Sequence, residues 1–93
     1  MAKQHLNIRV HGKVQGVFFR DAAKQIAQEL GIAGFIRNEP DGTVYIEAEG
    51  KEEQMKQFIA WVNEGTDRAH VERVEPKEGE IKGFSEFVVA FYE

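Results

Sequence analysis

Leu6, Ile8 and Val10 are separated by Asn7, Arg9 and His11, an alternation that predicts a half-buried strand near the start of the chain. His5 and His11 fall on its outward side, where an exposed structural role is expected of both. The pattern breaks over residues 12–19. From Arg20 onward the period becomes helical: Phe19, Ala23, Ile26 and Leu30 share one face, with Ala22 and Ala27 beside them. Asp21 suits the first turn, where the helix dipole favours negative charge, and Gly31 suits the stop. Residues 34–38 read as a short second strand. Glu39-Pro40-Asp41-Gly42 reads as a tight turn. Val44, Ile46 and Ala48 alternate with Thr43, Tyr45, Glu47 and Glu49, so residues 34–49 predict a hairpin. Gly50 begins the next switch. Met55, Phe58, Ile59 and Val62 line one face of a second helix that ends at Gly65. Residues 71–74 and 84–91 read as further strands, with residues 76–83 a charged, glycine-containing loop between them. Phe87, Val89 and Phe91 alternate with Val88, Ala90 and Tyr92, making both faces of the last strand apolar.

The element order is β-α-β-β-α-β with an additional C-terminal strand. Each helix has one stripe to bury and each strand one apolar face. Two helices on one side of an antiparallel sheet satisfy both demands, which predicts an α+β, ferredoxin-like sandwich. No repeat, low-complexity tract or linker divides the chain, so residues 1–93 are expected to form a single domain. That fold carries many functions and decides none of them.

Charge and composition narrow the choice. The formal net charge is −4, so the chain has no overall field to draw nucleic acid or an anionic membrane, and a phosphate site must be a local feature. Cysteine is absent, which excludes disulfides, thiolate metal sites and a phosphocysteine intermediate. No apolar run approaches the roughly 20 residues that span a bilayer. Nothing after Met1 reads as a signal peptide, so a soluble cytoplasmic protein is expected.

Candidate chemistry lies between the first strand and the first helix, in Gly12-Lys13-Val14-Gln15-Gly16-Val17-Phe18-Phe19-Arg20. A glycine-bearing loop entering a helix can converge its N–H groups on an anion, and the helix start adds unpaired N–H groups and a positive dipole end. Arg20 can close a fork on phosphate oxygens. The plainer alternative is a connecting loop with a solvated arginine. Neither a Walker loop nor Gly-x-Gly-x-x-Gly is present, so nucleotide binding has no support. Asn38, at the end of the second strand, is by itself most simply a turn former. A ferredoxin-like topology would bring it close to the 12–20 loop, facing the same anion as Arg20.

Gly12-x-Val14-Gln15-Gly16-Val17-x-Phe19-Arg20 resembles the first signature of the acylphosphatase family. Gly34-Phe35-x-x-Asn38-x-x-x-Gly42-x-Val44 resembles the second, and the similarity extends over essentially the whole chain. The resemblance implies that the backbone amides of Gln15, Gly16, Val17, Phe18 and Phe19, with Arg20, bind the phosphate of an acyl phosphate. It implies that Asn38 holds the attacking water, and that the protein is a small cytosolic monomer without cofactor or metal. Two positions depart from the pattern. Ile36 stands where a smaller apolar residue is usual. Glu39 sets a carboxylate beside the anion site, where an inward orientation would weaken phosphate binding.

The chemistry is compatible with so few groups. An acyl phosphate expels a carboxylate whose conjugate acid has a pKa of about 4–5, so no general acid is needed. Phosphoryl transfer then calls mainly for positioning and charge stabilisation. Asn38 can orient water but cannot take its proton, which leaves a substrate phosphate oxygen as the acceptor. Phosphate monoesters, with poorer leaving groups, should be hydrolysed badly.

Other features read as structural. Residues 82–91 faintly resemble the aromatic signature of RNA-recognition domains, but as the last strand of an acidic chain they are better explained by core packing. Glu47 and Glu49 share a strand face without a histidine at ligand spacing and are expected to be solvated. Trp61 is expected at a helix–sheet margin, and Thr43 either near Asn38, fixing its rotamer, or as a plain strand residue. The rival functional reading is a non-catalytic phosphate-binding module of the same fold; modules similar to the acylphosphatase family also occur inside larger proteins, notably a hydrogenase maturation factor, where they serve carbamoyl phosphate chemistry.

Overall fold

The computed structural model describes residues 3–91, so Tyr92 of the expected last strand lies outside it. The elements are β1 (Lys3–Lys13), α1 (Phe19–Glu29), β2 (Ala33–Asn38), β3 (Val44–Lys51), α2 (Glu52–Glu64), β4 (His70–Gly79) and β5 (Phe87–Val89). They form one sheet in the order β4-β1-β3-β2-β5. The register sets inward-facing side chains in rows across the three central strands. Ile8, Ile46 and Ile36 make one row, and Val10, Val44 and Asn38 the next. The apolar members of these rows are fully buried with Phe19, Ala23 and Ala27 of α1 and Met55, Phe58 and Val62 of α2, in one core on one side of the sheet. The expected ferredoxin-like sandwich is therefore the fold. Among the described residues no helix is long and apolar enough to cross a membrane.

Local rules account for the joints. α1 closes with Gly31 N–H donating to Gln28 O and Ile32 N–H to Ala27 O, which uses up orphan carbonyls and seats Ile32 on the core. This turn feeds directly into β2. Gly34 permits the central pairing: a Cβ there would lie 1.9 Å from Glu47 O on β3, and its φ of 147° suits glycine alone. Trp61 sits half-buried against Phe19, with ring centroids 5.3 Å apart, and so bridges α2 to the start of α1.

Three expectations need correction. The strand read over residues 71–74 continues to Gly79, through part of the stretch read as a loop. Pro76, the apparent breaker, is tolerated because β4 lies at the sheet edge. The last strand is shorter than expected and pairs with β2 in parallel, so the sheet is mixed and not wholly antiparallel. Phe91, counted among the strand's apolar faces, is 75% exposed. Finally, Glu47, Glu49 and His5 are buried, not solvated.

The last two corrections share a cause. β4 ends beside His5 and β5 begins beside Gly34, so residues 80–86 cross the sheet face opposite the helices. Phe84 stacks on His5 and meets Phe35 edge-on. The Glu49 carboxylate accepts the N–H groups of Lys82, Gly83 and Phe84, and its Oε2 lies 2.6 Å from His5 Nδ1. Lys82 Nζ donates to Glu47 at 2.8 Å. Burial alone would raise the Glu49 pKa, but the hydrogen bonds from Lys82 N–H, His5, Phe84 N–H and Gly83 N–H outweigh it and bring the pKa from 4.5 to about 2. The folded state therefore resists taking up the proton. The stabilisation is complete above pH 4.5 and is lost as pH falls toward 2. Glu49→Gln, which turns an NH2 group against N–H donors, should cost on the order of 3 kcal/mol at neutral pH. Its stability should also fall less steeply than the wild type's between pH 4.5 and 2, as urea unfolding at both limits would show.

Candidate active site

The loop leaving β1 is held by alternate residues. Val14, Val17 and Phe19 are buried, while Gly16 and Phe18 between them face outward. Two polar ties fix its path. Gln15 Nε2 donates to Glu39 O at 2.8 Å and Thr43 O at 2.9 Å, joining the loop to the β2–β3 turn. Thr66 donates from its hydroxyl to Val17 O at 2.8 Å, joining it to the segment after α2. Gly16 has φ 71° and Phe18 φ 63°, ψ 19°, so two left-handed residues bend the loop within three positions. For phenylalanine this conformation costs about 1–2 kcal/mol, a strain maintained by the buried residues on either side. Phe18 O accepts the first helical bond, from Ala22 N–H. The amides of the first turn of α1, Arg20 included, have no partner within the helix.

At this point lies a cleft of about 360 Å³. Gly16, Phe18, Phe19, Arg20 and Asp21 supply one side, and Val89 and Phe91 of the C-terminal segment border it. The Arg20 guanidinium lies 5.5 Å from the Phe91 ring centroid. Arg68 lies 5.8 Å from the centroid of Phe18, which is 68% exposed. A larger groove of about 500 Å³ between α2 and the β1–β4 edge contains Leu6, Met55, Ile59 and Pro76, but no residue of the loop or hairpin motifs. The smaller cleft, with its helix N-terminus and arginine, is the one suited to an anion.

Asn38 ends β2 on the helix side of the sheet, two residues beyond the fully buried Ile36. β1 and β2 both run antiparallel to β3, so Asn38 and the loop leaving β1 emerge at the same end of the sheet. Asn38 Oδ1 is buried and, among the described residues, has no hydrogen-bond partner, an unusual state for a side-chain acceptor. Asn38 is thus no self-bonded turn former through that oxygen, and a donated hydrogen bond from water or ligand would satisfy it.

The sequence-predicted residues divide accordingly. Gly16, Phe18, Phe19 and Arg20 line the cleft; Asn38, Gln15 and Val17 do not. The Gln15 side chain is committed to the turn carbonyls, and Val17 points into the core. Thr43 does not fix Asn38: its hydroxyl donates to Asp41 at 2.6 Å and accepts from Arg9 at 2.9 Å. Glu39 turns away from Asn38, toward Arg37 at 2.6 Å and Arg9 at 4.0 Å, on the opposite sheet face. Val89 and Phe91 were not foreseen at the cleft. The signal available was the surplus of apolar residues on the last strand, more than one core face can use.

Two helices packed on one face of this five-stranded sheet, with the Gly16–Arg20 loop entering the first of them, place the molecule in the class of ferredoxin-like sandwiches. The acylphosphatase family model matches residues 6–89. An acylphosphatase of Archaeoglobus fulgidus is 45% identical over 86 residues, covering 92% of this chain and 97% of the relative. The structure of an acylphosphatase from Coxiella burnetii superposes with a TM-score of 0.91 at 33% identity, covering 95% of this chain and 93% of that one. T. kodakarensis HypF superposes with a TM-score of 0.81 at 33% identity, but only 12% of that chain is covered. The chain belongs to the acylphosphatase family of enzymes.

Proposed function

We propose that the chain, acting as one domain, hydrolyses carboxyl–phosphate anhydrides. Water attacks phosphorus, the bond between phosphorus and the bridging oxygen breaks, and carboxylate and inorganic phosphate leave. Arg20 and the backbone amides of residues 15–20 hold the phosphoryl group. Charge developing on its oxygens meets donors already oriented by the buried anchors of the loop. Asn38 Oδ1 accepts a hydrogen bond from the attacking water and aims it. The proton passes to a phosphate oxygen of the substrate, since an amide cannot take it. No covalent intermediate and no cofactor or metal enters this scheme. The reading includes a cytoplasmic monomer acting on a small molecule, without nucleic acid or membrane as partner.

The observation that carries this reading is the unpartnered Asn38 Oδ1 at the sheet end from which the Arg20 loop departs. The second reading is a non-catalytic phosphate-binding module; the same fold also occurs as a small part of a longer chain, T. kodakarensis HypF. The two differ in turnover. With chelator present, the wild type should hydrolyse acetyl phosphate rapidly and a matched phosphate monoester hardly at all. Phosphate binding without acetyl phosphate turnover would overturn the enzymatic reading in favour of the module.

A further inference from the structure

The cleft around Arg20 has two kinds of wall. Gly16, Arg20 and Asp21 are polar or backbone surface near the start of α1, whereas Phe18, Val89 and Phe91 are apolar. A phosphoryl group needs only the first kind. Phe18 and Phe91 are 68% and 75% exposed, so neither ring is accounted for by the core. Each is accompanied by an arginine, Arg68 at 5.8 Å from the Phe18 centroid and Arg20 at 5.5 Å from that of Phe91. Phe18 also carries its ring in a left-handed conformation that a glycine would adopt without strain. The two rings therefore form an exposed apolar border to an anion cleft, which suits a ligand with a charged head and an apolar body.

We propose that Phe91, with Phe18 and Val89, forms a subsite for the acyl group and selects carboxyl phosphates with aromatic or bulky apolar acyl groups over those with small ones. The proposal rests on the hydrolytic reading of the site and adds its substrate class. The phosphoryl head engages Arg20 and the loop amides. The acyl body lies against the Phe91 ring, which sits over the same guanidinium and so is already next to the reacting end. Aromatic rings favour offset or edge contacts with one another, so a benzoyl group gains more from this wall than an acetyl group does.

The test compares benzoyl phosphate with acetyl phosphate in the wild type, Phe91→Ala, Phe91→Tyr and Phe18→Gly. Phe91→Ala should lower kcat/KM for benzoyl phosphate about tenfold relative to acetyl phosphate, mainly through KM. Phe91→Tyr should keep the preference, and Phe18→Gly should reduce it while relieving backbone strain. An equal loss on both substrates, carried by kcat, would mean that Phe91 merely props Arg20, and would overturn the subsite. Binding of phenylphosphonate and methylphosphonate, followed by calorimetry, keeps the outcome separate from that of the hydrolytic reading. Even if the wild type turned over neither substrate, tighter phenylphosphonate binding that is lost in Phe91→Ala would support the apolar subsite. Equal binding of the two phosphonates by the wild type would refute it.

Discussion

Arg20→Ala should lower kcat for acetyl phosphate by at least about 10²–10³-fold and leave the protein folded. The size of the effect follows from how few groups the site offers. Without a general acid, stabilisation of the phosphoryl oxygens must come from the loop amides and this guanidinium. The backbone donors survive the substitution, but the charge and its planar fork do not. Arg20→Lys should recover only part of the loss, because an ammonium restores charge without two parallel N–H donors. Stability should change by less than about 1 kcal/mol, since the contact given up is a cation–π pair with the exposed Phe91. Steady-state kinetics with thermal unfolding of the same samples checks both halves. Turnover within a few-fold of wild type would remove Arg20 from the mechanism.

Asn38→Ala should also reduce kcat about 10²–10³-fold, by the measure of a lost oriented donor or acceptor, yet leave inorganic phosphate binding near the wild-type level. The split distinguishes a residue that holds water from one that holds phosphate. Stability should move the other way. A buried acceptor without a partner carries a desolvation penalty of about 1–3 kcal/mol, and alanine removes that acceptor. The variant should therefore unfold at the same urea concentration as the wild type or a higher one. An ordinary structural asparagine would show the reverse, with stability lost and kcat retained.

Much of this fold was legible because its core obeys short-range rules. The alternation of Leu6, Ile8 and Val10, the helical stripe of Phe19 and Ala23, and the stop at Gly31 each depend on neighbours a few residues away. The fate of His5, Glu47 and Glu49 depends on a segment more than 30 positions distant. Alternation correctly assigned them to the second face of the sheet, but nothing local says that the face is covered. The parallel pairing of β5 was hidden for a related reason: a side-chain pattern reports which face a residue takes, not which strand lies beside it. The candidate site was legible as two motifs, and the antiparallel pairing of β1 and β2 with β3 brings both to one end of the sheet. The apolar border of the cleft was missed because Val89 and Phe91 approach it from the far end of the chain.

The edge position of β4 has a consequence for the molecule in a crowd. A sheet that stops in mid-air invites a neighbouring copy to continue it, the first step toward cross-β aggregates. This one stops at both sides on poor templates. On one side, β4 interrupts its row of donors at Pro76 and carries Glu72, Arg73, Glu75, Lys77 and Glu78, charges that an incoming strand would have to accommodate. On the other, β5 spans only Phe87–Val89, too short a ladder to nucleate growth. Pro76, at the start of the charged, glycine-containing stretch read from the sequence as a loop, thus serves as a gatekeeper against self-association.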